Sequence, residues 1–306
     1  MRKQIKRIII TIIAALVAFL ILDNVINWAM MRGVNNYYGL NQAPDILLIG
    51  HSHLMLATDK EHLEKETGLK VSKYCREGVN VSDKKMMVEH FFNSCNTDSL
   101  KYVLYGVDLA TFTGDGLSKN SYKLFYPFMS DRYVDHYIAD QDSSIDYWLH
   151  KIIKTSRFND EGLKNSAIRG WLNNWDNFKY NTVDIEKYKK ELAAHHERSI
   201  KMNPEIIEEF KQTISIITSH GIRVVLVNTP TLDLLNNYES EKYAAMMNWF
   251  QEYADSNELV DFWDFNPEYA SDHTIFSDRL HLNRHGQEII TGQLISRIKK
   301  LEQCNH

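Results

Sequence analysis

The sequence predicts an α/β fold of three layers, in which a mostly parallel sheet lies between helices. Three observations support this prediction. The chain has 306 residues, of which 44% are hydrophobic and 25% are charged, which is enough for one large core. Short apolar runs alternate with longer amphipathic segments, as in βαβ units. One run, residues 45–50, places four consecutive aliphatic residues before a glycine, which is typical of a buried parallel strand that opens into a loop.

The N-terminus predicts a membrane-spanning helix. Four basic residues within the first seven positions precede residues 8–22, in which Thr11 is the only polar side chain. Apolar residues continue to Met30 and include Trp28, which suits a membrane interface. We therefore expect a single-pass signal anchor over residues 1–31, with a cytoplasmic N-terminus and an extracytoplasmic main domain at the cell membrane. A cleaved signal peptide is the alternative, but no small-x-small cleavage site follows the apolar run.

The rest of the chain predicts one main domain behind a short linker. Residues 32–43 are polar and aromatic and form the predicted linker, and Pro44 marks the start of the domain at 44–306. Apolar and β-branched runs predict strands at 45–50, 69–74, 100–106, 221–228 and 259–263. Amphipathic segments predict helices at 82–93, 204–220, 243–256 and 286–301. This alternation places helices on both faces of the predicted sheet.

The alternation stops between about residues 114 and 203, which we interpret as a largely helical insertion. Aromatic residues are frequent there, and aliphatic residues are fewer than a core requires. Aromatic rings stack on sugars in binding sites, and they also pack the interior of small helical subdomains. The sequence alone allows both interpretations.

Two short motifs carry the predicted chemistry. Gly50-His51-Ser52-His53 follows the first predicted strand, and Asp278-Arg-Leu-His281 precedes the last predicted helix. A serine hydroxyl becomes a strong nucleophile when a histidine takes its proton and a carboxylate holds the histidine in the right tautomer. Ser52, His281 and Asp278 are therefore the predicted nucleophile, base and orienting carboxylate. The simpler alternative makes Ser52 a helix N-cap and Asp278 or Asn283 a cap of the last helix.

These motifs, in this order and near opposite ends of the chain, resemble the SGNH (GDSL-like) hydrolase and acyltransferase superfamily. The N-terminal anchor makes the chain similar to the membrane-anchored branch, which includes D-alanyl transfer protein and alginate O-acetyltransferase-like proteins. The resemblance implies a flavodoxin-like sheet and an oxyanion hole that includes the N–H groups of Ser52 and Gly78. The family's third block normally supplies an Asn side chain, whereas here it reads Gly106-Val-Asp108 and has no Asn. Loss of such a donor lowers the rate by about 100- to 1000-fold. Asn80, which is close to Gly78, is the predicted replacement.

Three further residues are predicted to line the same site: His51, His53 and Asp108. The two histidines, together with His281 or His285, also suggest zinc, for which imidazoles are common ligands. No H-E-x-x-H helix or Cys/His pair accompanies them, so we expect neither a metal nor another cofactor.

Composition narrows the class of partner. A formal net charge of −5 leaves no basic field for nucleic acid. The chain has three cysteines, Cys75, Cys95 and Cys304, without C-x-x-C spacing. This pattern favours buried free thiols over a zinc site or a Cys75–Cys95 disulfide.

Together these features predict a membrane-anchored serine O-acyl esterase or O-acyltransferase. Its expected substrate is an acylated glycan or another cell-envelope polymer. The expected partners are that polymer, the membrane, and a membrane protein that donates the acyl group. The alternative is a non-catalytic scaffold that keeps the fold and binds an envelope polymer or a membrane partner.

Overall fold

A parallel sheet of five strands forms the centre of the fold. The computed structural model of the chain describes residues 2–114, 120–142, 144–194 and 199–304. The spatial order of the strands is β2-β1-β3-β4-β5, and every neighbouring pair is parallel. The strands are β1 (Ile46–Gly50), β2 (Val71–Cys75), β3 (Tyr102–Val107), β4 (Arg223–Asn228) and β5 (Val260–Asp264). The predicted α/β class is therefore confirmed, and this strand order is that of flavodoxin-like sheets.

The central strands are apolar on both faces because helices cover both sides of the sheet. In β1, Ile46 pairs with Val71 of β2 and with Tyr102 of β3, and the four residues from Ile46 to Ile49 are fully buried. Successive side chains of a strand point to opposite faces, so this one run contributes to two cores. A central strand that is covered on both faces therefore requires consecutive hydrophobic residues.

Thirteen α-helices occur within the described residues. Those from α1 to α7 are α1 (Arg2–Tyr38), α2 (Ser52–Ala57), α3 (Lys60–Thr67), α4 (Val81–Ser94), α5 (Arg132–Gln141), α6 (Ile145–Ile152) and α7 (Glu161–Trp171). The others are α8 (Ile185–Ala194), α9 (Pro204–Thr218), α10 (Asp233–Asn236), α11 (Ser240–Asp255), α12 (Asn266–Tyr269) and α13 (Arg284–Cys304). Short 3₁₀ helices lie at Ser121–Phe128, Lys154–Phe158, Asn237–Glu239 and His273–Ile275.

The helices around the sheet form two layers. Helix α13 packs against α2 and α3 over the face that carries Ile46 and Leu48. Helix α9 packs against α4, and its Phe210 contacts Tyr105, whose side chain points to the opposite face because it alternates with Leu104. The three-layer arrangement expected from the sequence is thus present.

The described residues form two compact units. The larger unit contains the sheet and comprises Tyr38–Ser121 and the chain from Trp175 onward, so residues 175–203 belong with the sheet. The smaller unit comprises the chain up to Tyr37 together with Tyr122–Asn174. In the smaller unit, Phe125 and Phe128 are buried, whereas Trp148 and Trp171 are exposed. Helix α1 of this unit is long and apolar enough to cross a membrane.

The structure describes the surroundings of Cys75 and Cys95. Cys75 ends β2 and is buried, and this burial raises the pKa of its thiol to about 12. Cys95 is partly exposed. The expectation of a buried thiol is therefore confirmed for Cys75 and wrong for Cys95.

Candidate active site

The candidate site lies at the carboxyl ends of β1 and β3, where the strand order of the sheet reverses. In open α/β sheets this is the usual place for a ligand crevice. Gly50 ends β1 beside Gly106 of β3, and Leu54 of α2 sits over both residues. A Cβ at Gly50 or Gly106 would come within 3.0 or 3.1 Å of the Leu54 Cβ. The two glycines therefore allow α2 to begin directly above the strand ends, which places Ser52 at the edge of the sheet.

The structure brings Ser52, His281 and Asp278 into one chain of hydrogen bonds. Ser52 Oγ lies 2.8 Å from His281 Nε2, and His281 Nδ1 lies 2.9 Å from both carboxylate oxygens of Asp278. Ser52 is not an N-cap, because that position belongs to His51 and Ser52 is the first residue of α2. Asn283 instead caps the start of α13, accepting a hydrogen bond from Gly286 N at 3.1 Å. Asp278 is thus available to the imidazole.

A tight turn positions Asp278 against the imidazole. Its Oδ1 accepts hydrogen bonds from the backbone N–H groups of Leu280 and His281, at 2.9 and 3.0 Å. Partial burial would raise the pKa of Asp278, but the hydrogen bond and charge of His281, with Leu280 N–H and Lys179, hold that pKa well below its usual range. The carboxylate is therefore ionised at neutral pH. It can accept the Nδ1 proton of His281, which leaves Nε2 unprotonated and able to accept a proton from Ser52.

Lys179 is a site residue that the sequence did not indicate. Its Nζ lies 3.0 Å from Asp278 Oδ2 and 3.5 Å from His281 Nδ1. The backbone N–H of Arg284 donates to Lys179 O at 2.8 Å, which holds this segment beside the start of α13. No local pattern around residue 179 marks it, because the contact joins residues about a hundred positions apart. Lys179 gives Asp278 a cationic partner in addition to its hydrogen bonds with His281.

A second polar cluster flanks the serine. His51 Nε2 and His53 Nδ1 each lie 3.2 Å from Asp108 Oδ2, although neither contact has the alignment of a full hydrogen bond. Asp108 Oδ1 accepts hydrogen bonds from Ala110 N at 2.9 Å and from Thr111 Oγ1 at 3.1 Å. The carboxylate thus connects the loop after β3 to both neighbours of Ser52. The predicted lining residues His51, His53 and Asp108 are therefore adjacent to one another and buried.

Burial and neighbouring charges set the protonation states of His51, His53 and Asp108. Burial lowers the pKa of His51 and of His53, so both imidazoles are neutral at neutral pH. Burial would raise the pKa of Asp108, but attraction to His51, His53 and Lys84 holds it well below its usual range. Lys84 of α4 is itself buried, which lowers its pKa to about 8, and it donates to Gly106 O at 2.8 Å. The sequence did not indicate Lys84 as part of this site.

One ring nitrogen of His51, one of His53 and a carboxylate oxygen of Asp108 all lie within 4.8 Å of one another. These atoms are close enough to bind one metal ion. The tautomer of His51 argues against that use. His51 Nδ1 accepts a hydrogen bond from His53 N at 3.2 Å, so its proton is on Nε2, the atom that faces Asp108. A metal bound at Nε2 would require the proton on Nδ1, where it would face the His53 N–H group. The geometry therefore favours two imidazoles packed around a carboxylate over a metal site.

Replacing Asp108 by Asn is expected to lower the free energy of unfolding by about 3 kcal/mol at neutral pH, because it leaves the buried Lys84 ammonium without the negative charge of Asp108. The folded pKa of Asp108 lies below its unfolded value, which is about 3.9. The contribution of the ionised Asp108 to the free energy of unfolding is therefore complete above about pH 4, and it is lost as the pH falls through the folded pKa. Urea unfolding of the full chain in detergent, repeated at decreasing pH, should show the difference between native chain and variant narrowing below about pH 4. A difference that stays constant would contradict an ionised Asp108.

Two of the three predicted oxyanion donors, Gly78 and Asn80, lie in the turn between β2 and α4, whereas the third, the N–H of Ser52, lies at the start of α2. Gly78 has a φ of 75°, a left-handed conformation that favours glycine. Asn80 is the N-cap of α4: its Oδ1 accepts from Asp83 N, and its own N–H donates to the Asp83 carboxylate. This capping box occupies the carbonyl oxygen of Asn80 and fixes its side chain, while the side-chain NH₂ remains a possible donor. The structure places Asn80 beside His51 and His53 in the lining of one cavity.

Two cavities adjoin these residues within the larger unit. The first has a volume of about 350 Å³ and is polar beside His53 and Asp108 but apolar where Val81, Ile206 and Leu235 line it. The second has a volume of about 510 Å³ and includes Asp278 and His281, with Lys187 and Tyr188 of α8 on its wall. Arg279 and Leu280 line both cavities, so the two cavities meet the same segment before His281.

No protein-family model and no curated protein sequence matches this chain. Two Streptococcus pneumoniae structures are similar in a structural search. One, described as a platelet activating factor, is 12% identical with a TM-score of 0.42, and the match covers 92% of this chain and 98% of that chain. The other is the C-terminal catalytic domain of peptidoglycan O-acetyltransferase A with a methylsulfonyl adduct, 12% identical with a TM-score of 0.38, covering 85% and 96%. Similarity this low does not decide the activity of the chain, which has to be argued from its own residues.

Proposed function

We propose that the chain is a serine O-acyl esterase or O-acyltransferase of the SGNH type. The observation that carries the proposal is the hydrogen-bonded series Ser52 Oγ, His281 Nε2 and Nδ1, and Asp278. An ionised carboxylate, a correctly oriented imidazole and a hydroxyl within 2.8 Å are the parts that nucleophilic acyl transfer needs.

The first half-reaction forms an acyl-enzyme. Ser52 Oγ attacks the ester carbonyl carbon while its proton moves to His281 Nε2, and Asp278 stabilises the imidazolium that forms. The oxyanion is proposed to receive hydrogen bonds from the N–H groups of Ser52 and Gly78 and from the side-chain NH₂ of Asn80. When the carbonyl re-forms, the C–O bond to the alcohol breaks. The leaving alkoxide takes the proton from His281.

The second half-reaction removes the acyl group from Ser52. His281 accepts a proton from water or from a sugar hydroxyl, whose oxygen then attacks the acyl carbon. The Ser52 ester bond breaks, and Ser52 Oγ recovers its proton from His281. Water gives an esterase and a sugar hydroxyl gives an acyltransferase. No step uses a metal or an organic cofactor.

The proposed substrate is an acylated glycan or another polymer of the cell envelope. Helix α1 is long and apolar enough to span a membrane, and the basic residues before the apolar run favour a cytoplasmic N-terminus. The enzyme would then work on the outer side and next to the lipid. In the transferase case, a membrane protein would supply the acyl group. The apolar part of the first cavity suits the acyl chain, and the second cavity suits the alcohol or acceptor.

Labelling of the full chain in detergent with a fluorophosphonate probe tests this proposal. The expected result is one labelled peptide that contains Ser52, because only an activated serine displaces the fluoride. His281→Ala should abolish the labelling, whereas His285→Ala, an exposed histidine of α13, should keep it. If Ser52 is not labelled in the native chain, the non-catalytic scaffold becomes the better hypothesis.

A further inference from the structure

The smaller unit contains helix α1, which is longer than a membrane span requires. A helix of 37 residues is about 55 Å long, and about 20 of its residues suffice for the hydrocarbon core of a bilayer. A span that begins at Ile8 would therefore end near Trp28. The exposed apolar side chains of α1 stop at Trp28, and Gly33 and Val34 are buried by protein. The helix thus passes from a bare apolar segment into a packed one close to Trp28.

The residues after α6 are hydrogen-bonded to α1 on the N-terminal side of Trp28. The Asp23 carboxylate accepts hydrogen bonds from the backbone N–H groups of Lys154 and Thr155, at 2.9 and 2.8 Å. Lys154 Nζ also donates to Asn24 Oδ1 at 2.7 Å. Asp23 lies five residues before Trp28, which corresponds to about 7.5 Å along the helix. The end of α6 is therefore held at a depth that lies inside the predicted span.

Helix α7 is attached to α1 at the level of Trp28. Trp171 Nε1 donates to Ala29 O at 2.9 Å, and the Arg32 guanidinium lies over the rings of Trp171 and Trp28, at 5.1 and 5.7 Å. Gly170 packs so closely on Gly33 that a Cβ at either residue would collide with the opposing backbone. Trp and basic side chains are frequent at membrane–water interfaces, and Trp28, Trp171 and Arg32 fit such a position.

Both attached helices present apolar side chains that no described residue covers. On α6 the exposed residues Ile145, Trp148, Leu149 and Ile152 have the i, i+3, i+4, i+7 spacing of one helix face, and Ile145 is 84% exposed. Tyr147 and His150 are buried on the other side of α6. On α7 and at its C-cap the exposed large apolar residues are Ile168, Trp171 and Leu172, with Leu172 70% exposed. Apolar faces of this extent are rarely left in water.

We propose that the exposed faces of α6 and α7 lie in the interfacial layer of the bilayer that α1 spans. The inference depends on α1 being a membrane span, and it is independent of the proposed acyl transfer. Lipid is favoured over a protein partner because the hydrogen bonds of Asp23 and Trp171 hold both faces beside the part of α1 that would cross the lipid boundary. The smaller unit is then an in-plane membrane module as well as a tether.

Site-specific fluorescence in liposomes of phosphatidylcholine and phosphatidylglycerol tests this inference on the full chain. Cys95 and Cys304 are first replaced by Ser, and Cys75 is kept because its buried thiol does not react readily. One added cysteine, at Trp148 or Ile152, then carries an environment-sensitive NBD label. We expect blue-shifted emission and loss of most of the fluorescence when the lipids carry a doxyl quencher. Asp146→Cys is the matched control, because residue 146 is exposed on the polar side of the same helix. Its label should be quenched by aqueous iodide instead.

A label at Val17→Cys, in the middle of the apolar segment, separates the two possible failures. If the Val17 label is quenched by lipid but the labels at 148 and 152 respond to iodide, the span exists and the interfacial inference is wrong. If the labels at 148 and 152 respond to neither quencher, protein covers the face, and the inference is also wrong. If the Val17 label is not quenched by lipid, α1 does not span the bilayer and the premise fails. Retained fluorophosphonate labelling at Ser52 would show separately that the larger unit is intact.

Discussion

Replacing Ser52 by Ala is expected to lower the hydrolysis of p-nitrophenyl acetate by the full chain at least about 1000-fold. Among the described residues, Ser52 Oγ is the group that hydrogen-bonds with His281 Nε2, at 2.8 Å, so the substitution removes the proposed nucleophile. His281 would still be able to activate water. A small residual rate is therefore expected, without the initial burst of p-nitrophenol that an acyl-enzyme produces.

Ser219→Ala provides the matched control for this measurement. Ser219 is the exposed C-cap of α9 and hydrogen-bonds only with its own helix and the adjacent His220. This variant should keep both the rate and the burst. In cells that depend on the protein, Ser52→Ala should also change the ester content of the envelope polymer. A chain that retains its cellular role without Ser52 would instead be a scaffold.

Replacing Asp278 by Asn is expected to lower the same rate by about 1000- to 10,000-fold while leaving the fold intact. The amide oxygen can still accept from Leu280 N and His281 N, as the Asp278 carboxylate does now. The amide NH₂ would then face His281 Nδ1 as a donor. This contact would put the imidazole proton on Nε2, so that His281 could no longer accept the proton of Ser52.

The measurement pairs kinetics with a check of folding. Asp255→Asn, at the exposed end of α11, is a control of the same chemical change and should leave the rate unaltered. Urea unfolding should show that Asp278→Asn remains folded at neutral pH. If Asp278→Asn keeps its rate within about tenfold of the native chain, which corresponds to a rise of less than about 1.4 kcal/mol in the activation barrier, the orienting role is refuted.

The sheet was predictable because its signal is local. An uninterrupted apolar run such as Ile46–Ile49 already requires burial on both faces, and a terminal glycine such as Gly50 marks where the chain leaves the sheet. Parallel strands bring their carboxyl ends to one edge, which made the site's location predictable as well. The pairing of Ser52 with His281, over 229 positions, came from the motifs and their family resemblance.

The supporting residues were not predictable because their signal is not local. Lys179 approaches Asp278 from a segment without regular structure, and Lys84 reaches Gly106 from a helix whose sequence shows only amphipathic spacing. The His51 tautomer depends on a hydrogen bond at the start of α2 that spacing cannot reveal. The joining of α1 to Tyr122–Asn174 likewise depends on side chains more than a hundred positions apart, such as Asp23 and Thr155.

The Asp23 contacts have a practical consequence for preparing a water-soluble form of the protein. A truncation after the apolar run, at residue 32, would remove the acceptor of the Lys154 and Thr155 N–H groups and the backbone carbonyl that receives Trp171. The smaller unit would lose these contacts with α1 and would be prone to aggregate. Purification should therefore keep the helix and use detergent or nanodiscs, or else remove Tyr122–Asn174 together with it and bridge the ends with a flexible peptide.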